Sequence, residues 1–126
     1  DNARAAPGAI DVIANDAPHF AGLESAVTCL AGPAGGGRSS AYTLGWTAAS
    51  DDGTPAARIV YDVYTATSSG KEDYSAPTYT SDPGATSFRT PPLASDTTYY
   101  FVVRARDTEG RRDRNRVERA GENICD

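Results

Sequence analysis

Few residues in this chain are equipped for chemistry. One histidine, His19, and two cysteines, Cys29 and Cys125, stand beside 17 acidic side chains. His19 lies between Pro18 and Phe20 with no second histidine to share a metal or pair with a serine. We expect it on the surface. The cysteines lack the Cys-x-x-Cys spacing of a redox pair. Asp51 and Asp52 are adjacent acids, candidates for metal ligation or for half of a carboxylate pair. The following Gly53 gives them turn chemistry as well, and we expect the turn role. Gly35-Gly36-Gly37 would suit a phosphate-cradling loop only between a strand and a helix in a Walker-type motif, and that context is missing. No Gly-x-Ser-x-Gly elbow occurs, and we expect no catalytic activity.

The strongest local charge feature is basic. Arg104, Arg106, Arg111, Arg112, Arg114, Arg116 and Arg119 hold more than half of the chain's 12 basic residues. Asp107, Glu109, Asp113 and Glu118 are interleaved with them. Mixed charge of this kind reads first as a solvated, ion-paired hairpin, and second as a patch for an anionic ligand. The net charge of −5 and pI near 4.7 argue against nucleic acid as a partner.

These residues need a frame, and the frame is β. Between Thr97 and Gly110 the chain has neither Gly nor Pro and is dominated by Tyr, Phe, Val and Thr. Strand alternation puts Tyr99, Phe101, Val103 and Ala105 on one face. Tyr100, Val102, Arg104 and Arg106 take the other, which we expect to be partly wet. Ala21–Cys29, Ala41–Thr47, Arg58–Tyr64, Ser87–Arg89 and Asn115–Ala120 give five further strands, and Tyr74–Tyr79 an edge segment. Tyr42, Leu44 and Trp46 share one face of the second strand. In the Arg58–Tyr64 strand Ile59, Tyr61 and Val63 face inward, with Val60 and Tyr64 outward. The residues expected in the core are Leu44, Trp46, Ile59, Tyr61, Val63, Phe88, Leu93, Tyr99, Phe101 and Val103. No run approaches about 18 apolar residues, so no membrane span is expected. The chain has no Met and opens without a leader-type segment. We therefore expect a mature or excised segment.

Leu93, Thr97, Tyr99, Phe101, Val103 and Ala105, together with Leu44-x-Trp46, resemble fibronectin type III domains of the bacterial extracellular type. The resemblance covers residues 18–126. It implies a seven-stranded antiparallel immunoglobulin-like β-sandwich, with Tyr99 as a corner tyrosine whose hydroxyl bonds backbone near the turn. In that family the ends of the first and last strands meet at one pole. The resemblance thus implies a Cys29–Cys125 disulfide and an extracellular, cell-surface or periplasmic location. It implies no cofactor. Asn15-Asp16-Ala17-Pro18 also resembles the Asn-Asp-x-x-Pro linker of cadherins, one residue short, and calcium there is the one metal suggested.

Residues 1–17 precede this pattern as an N-terminal extended arm or linker. Ala9–Ile13 alone has strand character, through Ile10, Val12 and Ile13. Function is expected to be structural spacing or adhesion through protein contacts. Arg111, Arg112 and Arg114 would form, with Asp51 and Asp52, an interaction pole. The alternative is a subunit of a secreted fibre, in which the arm adds a strand to the next copy as a homo-oligomer. A third option, a carbohydrate-binding appendage of a secreted hydrolase, would rest on Tyr64, Tyr74, Tyr79 and Tyr100.

Overall fold

The computed structural model describes residues 17–29, 39–94 and 97–124. The expected arm residues Ile10, Val12 and Ile13, the glycine triplet, Asn15-Asp16 and Cys125 therefore lie outside the described residues. The described residues form ten strands: β1 (Leu23–Thr28), β2 (Ser39–Ser40), β3 (Thr43–Trp46), β4 (Val60–Ala66), β5 (Tyr79–Thr80), β6 (Ser87–Arg89), β7 (Leu93–Ala94), β8 (Tyr100–Arg106), β9 (Arg119–Ala120) and β10 (Glu122–Asn123). They form one sheet in the order β10-β1-β3-β6 and another in the order β5-β4-β8-β9, with a small β2-β7 ladder beside them. The protein is an all-β sandwich. No helix among the described residues is long and apolar enough to cross a membrane.

The alternation read from the sequence builds the core. Leu23, Ala26, Tyr42, Leu44 and Trp46 come from one sheet and its approaches; Ile59, Tyr61, Val63, Phe101, Val103 and Ala105 come from the other. Leu44, Ile59, Tyr61, Val63, Phe101 and Val103 have no exposed surface. Each such side chain stabilises the fold by roughly 1.5–3 kcal/mol relative to exposure. Trp46 meets Tyr61 with ring centres 5.0 Å apart, and its indole N–H donates to the Ala85 carbonyl at 3.0 Å. A buried indole donor therefore has an acceptor. Phe88, Leu93 and Tyr99 pack against this cluster as half-buried residues. The Tyr99 hydroxyl accepts a hydrogen bond from the Ala94 N–H at 3.2 Å, tying together the turn before β8.

The last expected strand departs from the sequence reading. Instead of one strand over 115–120, residues 113–118 are irregular and the pairing divides. β9 lies antiparallel against β8, whereas β10 lies parallel to β1, with Val27 opposite Glu122 and Thr28 opposite Asn123. The sandwich is thus not wholly antiparallel. Gly121 makes the crossing. Its N–H donates to the Tyr99 carbonyl at 2.8 Å, and a Cβ there would stand only 2.5 Å from the Tyr42 ring. With no side chain, the backbone passes over Tyr42 and changes sheets within one residue.

The β4–β8 ladder is the longest, running from Val60↔Arg106 to Ala66↔Tyr100. A 3-10 turn at Ala56–Arg58 precedes β4, so the strand starts two residues later than expected. The outer face of this ladder is not wet. Asp62, Tyr64, Val102 and Arg104 are all buried there. The correction to Tyr64, expected outward, has a simple cause. Segments 67–78 and 107–118 fold back over the sheet and cover it.

Candidate functional site

The covered outer face gathers most of the chain's unusual side chains. Asp62 stands directly across the ladder from Arg104. Yet its carboxylate binds elsewhere: Arg106 Nε donates at 2.9 Å, Arg112 Nε at 2.6 Å and the Thr80 hydroxyl at 2.9 Å. Burial alone would raise the Asp62 carboxyl, but the bonds from Arg106, Arg112 and Thr80 outweigh it and hold the group below its ordinary value. Arg112, expected as a solvent-facing member of the interaction pole, instead turns back onto the strand. The hairpin is ion-paired as expected, but it is a packed lid rather than a free projection.

With Asp62 engaged, Arg104 meets aromatic rings instead. Its guanidinium carbon is 3.7 Å from the centre of the Tyr74 ring and 5.7 Å from that of Tyr64. Those two rings are 5.2 Å apart, and Arg116 approaches Tyr74 at 5.4 Å. The Nε–H of Arg104 donates to the Asn115 carbonyl at 2.9 Å. Tyr64 is 1% exposed, yet its hydroxyl has no hydrogen-bond partner among the described residues. Burial pushes that phenol up, partly offset by the charge of Arg112.

A second acidic feature lies under the same cover. The Glu118 carboxylate accepts from the Ser69 hydroxyl at 2.6 Å and from the Gly70 N–H at 2.8 Å, anchoring segment 67–78. It also shares a hydrogen bond with buried Glu72. Burial, reinforced by that contact with Glu118, pushes the Glu72 carboxyl up to about 7. The bonds from Glu72, Ser69 and Gly70 hold Glu118 low. Glu72 is thus the proton-holding partner and Glu118 the charged one. The Oε2 of Glu72 has no hydrogen-bond partner among the described residues.

The other residues singled out from sequence have plainer roles. Asp51 Oδ2 accepts from the N–H groups of Gly53 at 3.1 Å and Thr54 at 2.9 Å, which is the expected turn chemistry. Asp52 is exposed beside it. Arg111 pairs with Glu109 at 2.8 Å, with Asp107 at 3.8 Å, and it feels the charge of Asp51. The Asp51 loop and the 107–110 turn do share a pole, joined by the Thr54 and Thr108 hydroxyls at 3.2 Å. Arg114 is exposed there and makes no ion pair or hydrogen bond among the described residues. His19 is exposed, and its backbone N–H donates to the Ser50 carbonyl at 2.7 Å. No group of three or more His, Cys, Asp or Glu able to hold a metal occurs among the described residues. Tyr64 and Tyr74 face each other and Tyr79 packs on Phe88, so these rings do not form an open aromatic platform.

Sequence reasoning missed Asp62 and Glu72, took Tyr74 only as a candidate surface aromatic, and took Glu118 only as one of the acids interleaved with the arginines. Asp62 left a signal: an acid inside the apolar run Val60-Tyr61-Asp62-Val63-Tyr64, facing the side of β8 that carries Arg104 and Arg106. Glu72 and Glu118 left none, since each sits in a polar stretch and only the fold joins them.

No protein-family model matches this chain, and comparison with curated proteins and with solved structures finds no match either.

Proposed function

We propose that this chain is a non-catalytic β-sandwich module of the fibronectin type III kind, working outside the cytoplasm as a spacer or adhesive unit through protein contacts. One observation carries this reading: the acids are spent on bracing. Asp62 joins two arginines, Asp51 and Asp107 close their own turns, and Asp113 accepts from the Ala105 and Asn115 N–H groups. Glu118 fastens the 67–78 cover. Both faces of the central β4–β8 ladder are covered, as suits a stiff unit more than a substrate-binding one. The Tyr99–Ala94 bond and the strand order support the family reading.

The extracytoplasmic part rests on the proposed Cys29–Cys125 disulfide. Cys29 is not a free thiol. The Ile124 N–H donates to the Thr28 carbonyl at 3.0 Å, so the chain nears its end beside the residue that precedes Cys29. Native-state hydrogen exchange tests the module reading. Amides of β4 and β8 should exchange only through global unfolding, and the 67–78 cover should not open far more readily. A cover that opens at low energy, baring Glu72, would favour a buried reactive cleft instead.

The fibre alternative retains one favouring observation: β6, only three residues long, is an edge of its sheet with an unpaired side among the described residues. Deleting residues 1–13 tests it. An assembly that survives the deletion, or a full-length chain monomeric at every concentration, removes the fibre reading.

A further inference from the structure

We propose that the cleft between the 110–114 turn and β8 is a docking site for an acidic segment of a protein partner, recognised by Arg104 and Arg114. The inference rests on the reading of the chain as a protein-contact module and names the chemistry of one contact. The cleft has a volume of about 460 Å³ and is lined by Ala17, Arg104, Gly110, Arg111, Arg112, Asp113 and Arg114. Four arginines therefore line one space.

Their partners among the described residues do not balance them. Asp62 is shared between Arg106 and Arg112, and Glu109 with Asp107 answers Arg111. Asp113 turns both oxygens onto N–H groups, at 2.6 Å from Ala105 and 2.9 Å from Asn115. Arg104 is 8% exposed and has no ion-pair partner among the described residues. Only its Nε is committed. Burying a guanidinium without a carboxylate is unfavourable unless an anion completes the site. The ring of Tyr74 offsets part of that cost and holds the guanidinium plane in place. A fork fixed in this way is suited to bidentate capture of a carboxylate.

Size and charge select the occupant. The volume falls within the ordinary range for ligand pockets and exceeds what one inorganic anion fills. A long polyanion would meet the field of a chain carrying a net −5. A short run of Asp or Glu satisfies both constraints, with each carboxylate meeting one unpaired arginine.

Hexaglutamate peptide, titrated calorimetrically into the full chain at low ionic strength, is the test. Saturable binding is expected, falling steeply with added salt. Arg114→Gln should weaken it about threefold, as for an exposed pair. Arg104→Gln should weaken it about tenfold or more. Arg89→Gln, on β6 of the other sheet, removes the same charge and should leave binding within experimental error. Because Arg104 is buried, its variant counts only if its thermal melt remains cooperative; Arg114, exposed and unpaired, keeps the test decisive in any case. Three results overturn the proposal: no binding at millimolar peptide, equal weakening by R89Q and R114Q, or displacement of the peptide by equimolar inorganic phosphate. None of these bears on the hydrogen-exchange test of the module reading, so the two can fail separately.

Discussion

At Asp62 one carboxylate with no exposed side-chain surface takes bonds from two guanidiniums that are each about a third exposed. Removing its charge strands two arginines on a covered face. Asp62→Asn should therefore cost about 2–3 kcal/mol in urea unfolding at pH 7. That is below the roughly 3–5 kcal/mol for breaking a fully buried pair, because water still reaches both arginines. A change under about 0.5 kcal/mol would place the pair with ordinary surface bridges. The pH dependence has a definite sign. The folded Asp62 carboxyl lies below its ordinary value of 3.8, so its stabilisation is present above that value and lost as pH falls through the lower folded one. The gap between wild type and D62N should shrink on acidification below about pH 4. Trp46 carries a different load. At 5% exposure and in contact with Tyr61, its replacement by Ala should cost about 3–5 kcal/mol through lost burial and the cavity left behind. A cooperative unfolding curve at an unchanged midpoint would contradict this.

At the scale of elements, segment 67–78 is held down by Glu118 below and by the stack of Tyr74 on Arg104. Glu72 makes this cover sensitive to pH. Its carboxyl titrates at about 7 when folded against an ordinary value of 4.5, so between those values the folded state holds a proton that the unfolded chain has released. That contribution is complete below the ordinary value and disappears as pH rises through about 7, where a second carboxylate would face Glu118. Thermal melts at pH 5, 6.5 and 8 should show the midpoint falling across the series. Glu72→Gln, which keeps a hydrogen-bond donor at every pH, should flatten the fall and gain on the order of 1 kcal/mol at pH 8. A wild-type midpoint that rises from pH 5 to 8, with E72Q following it, would show Glu72 charged throughout.

Across the whole molecule, the C-terminal strands tie the two sheets together. β9 belongs to the sheet of β8 and β10 to the sheet of β1, with Gly121 between them. The proposed Cys29–Cys125 disulfide would lock this crossing and close nearly the whole described domain into one loop. For a loop of about 100 residues the chain-entropy estimate is about 4.7 kcal/mol, less where the reduced chain keeps structure. Reduction should therefore lower the denaturant midpoint with little change in the native spectrum. Mass spectrometry after alkylation without reductant should find no modified cysteine. Two alkylated cysteines in the natively folded chain would end the proposal.

Much of the sandwich is written in local alternation. Leu44 and Trp46, Ile59, Tyr61 and Val63, and Phe101 and Val103 each sit two positions apart, and a strand must put them on one face. Their burial was legible without coordinates, because period-two patterning is a property of the strand itself. Asp51 was legible for a similar reason: an Asx turn closes within three residues. What the sequence left open was every contact between distant segments. Arg112 could as well have pointed to solvent, and its turn onto Asp62 depends on how the 107–118 segment folds over β4 and β8. Tyr64 alternates outward as expected and is buried all the same, since alternation chooses a face but cannot say what covers it. The pairing of Glu72 with Glu118, the stacking of Arg104 on Tyr74 with no ion pair among the described residues, and the change of sheet at Gly121 belong to the same class. Each is a matter of which charges and backbones come within bonding distance once the layers close, and only the tertiary structure decides that.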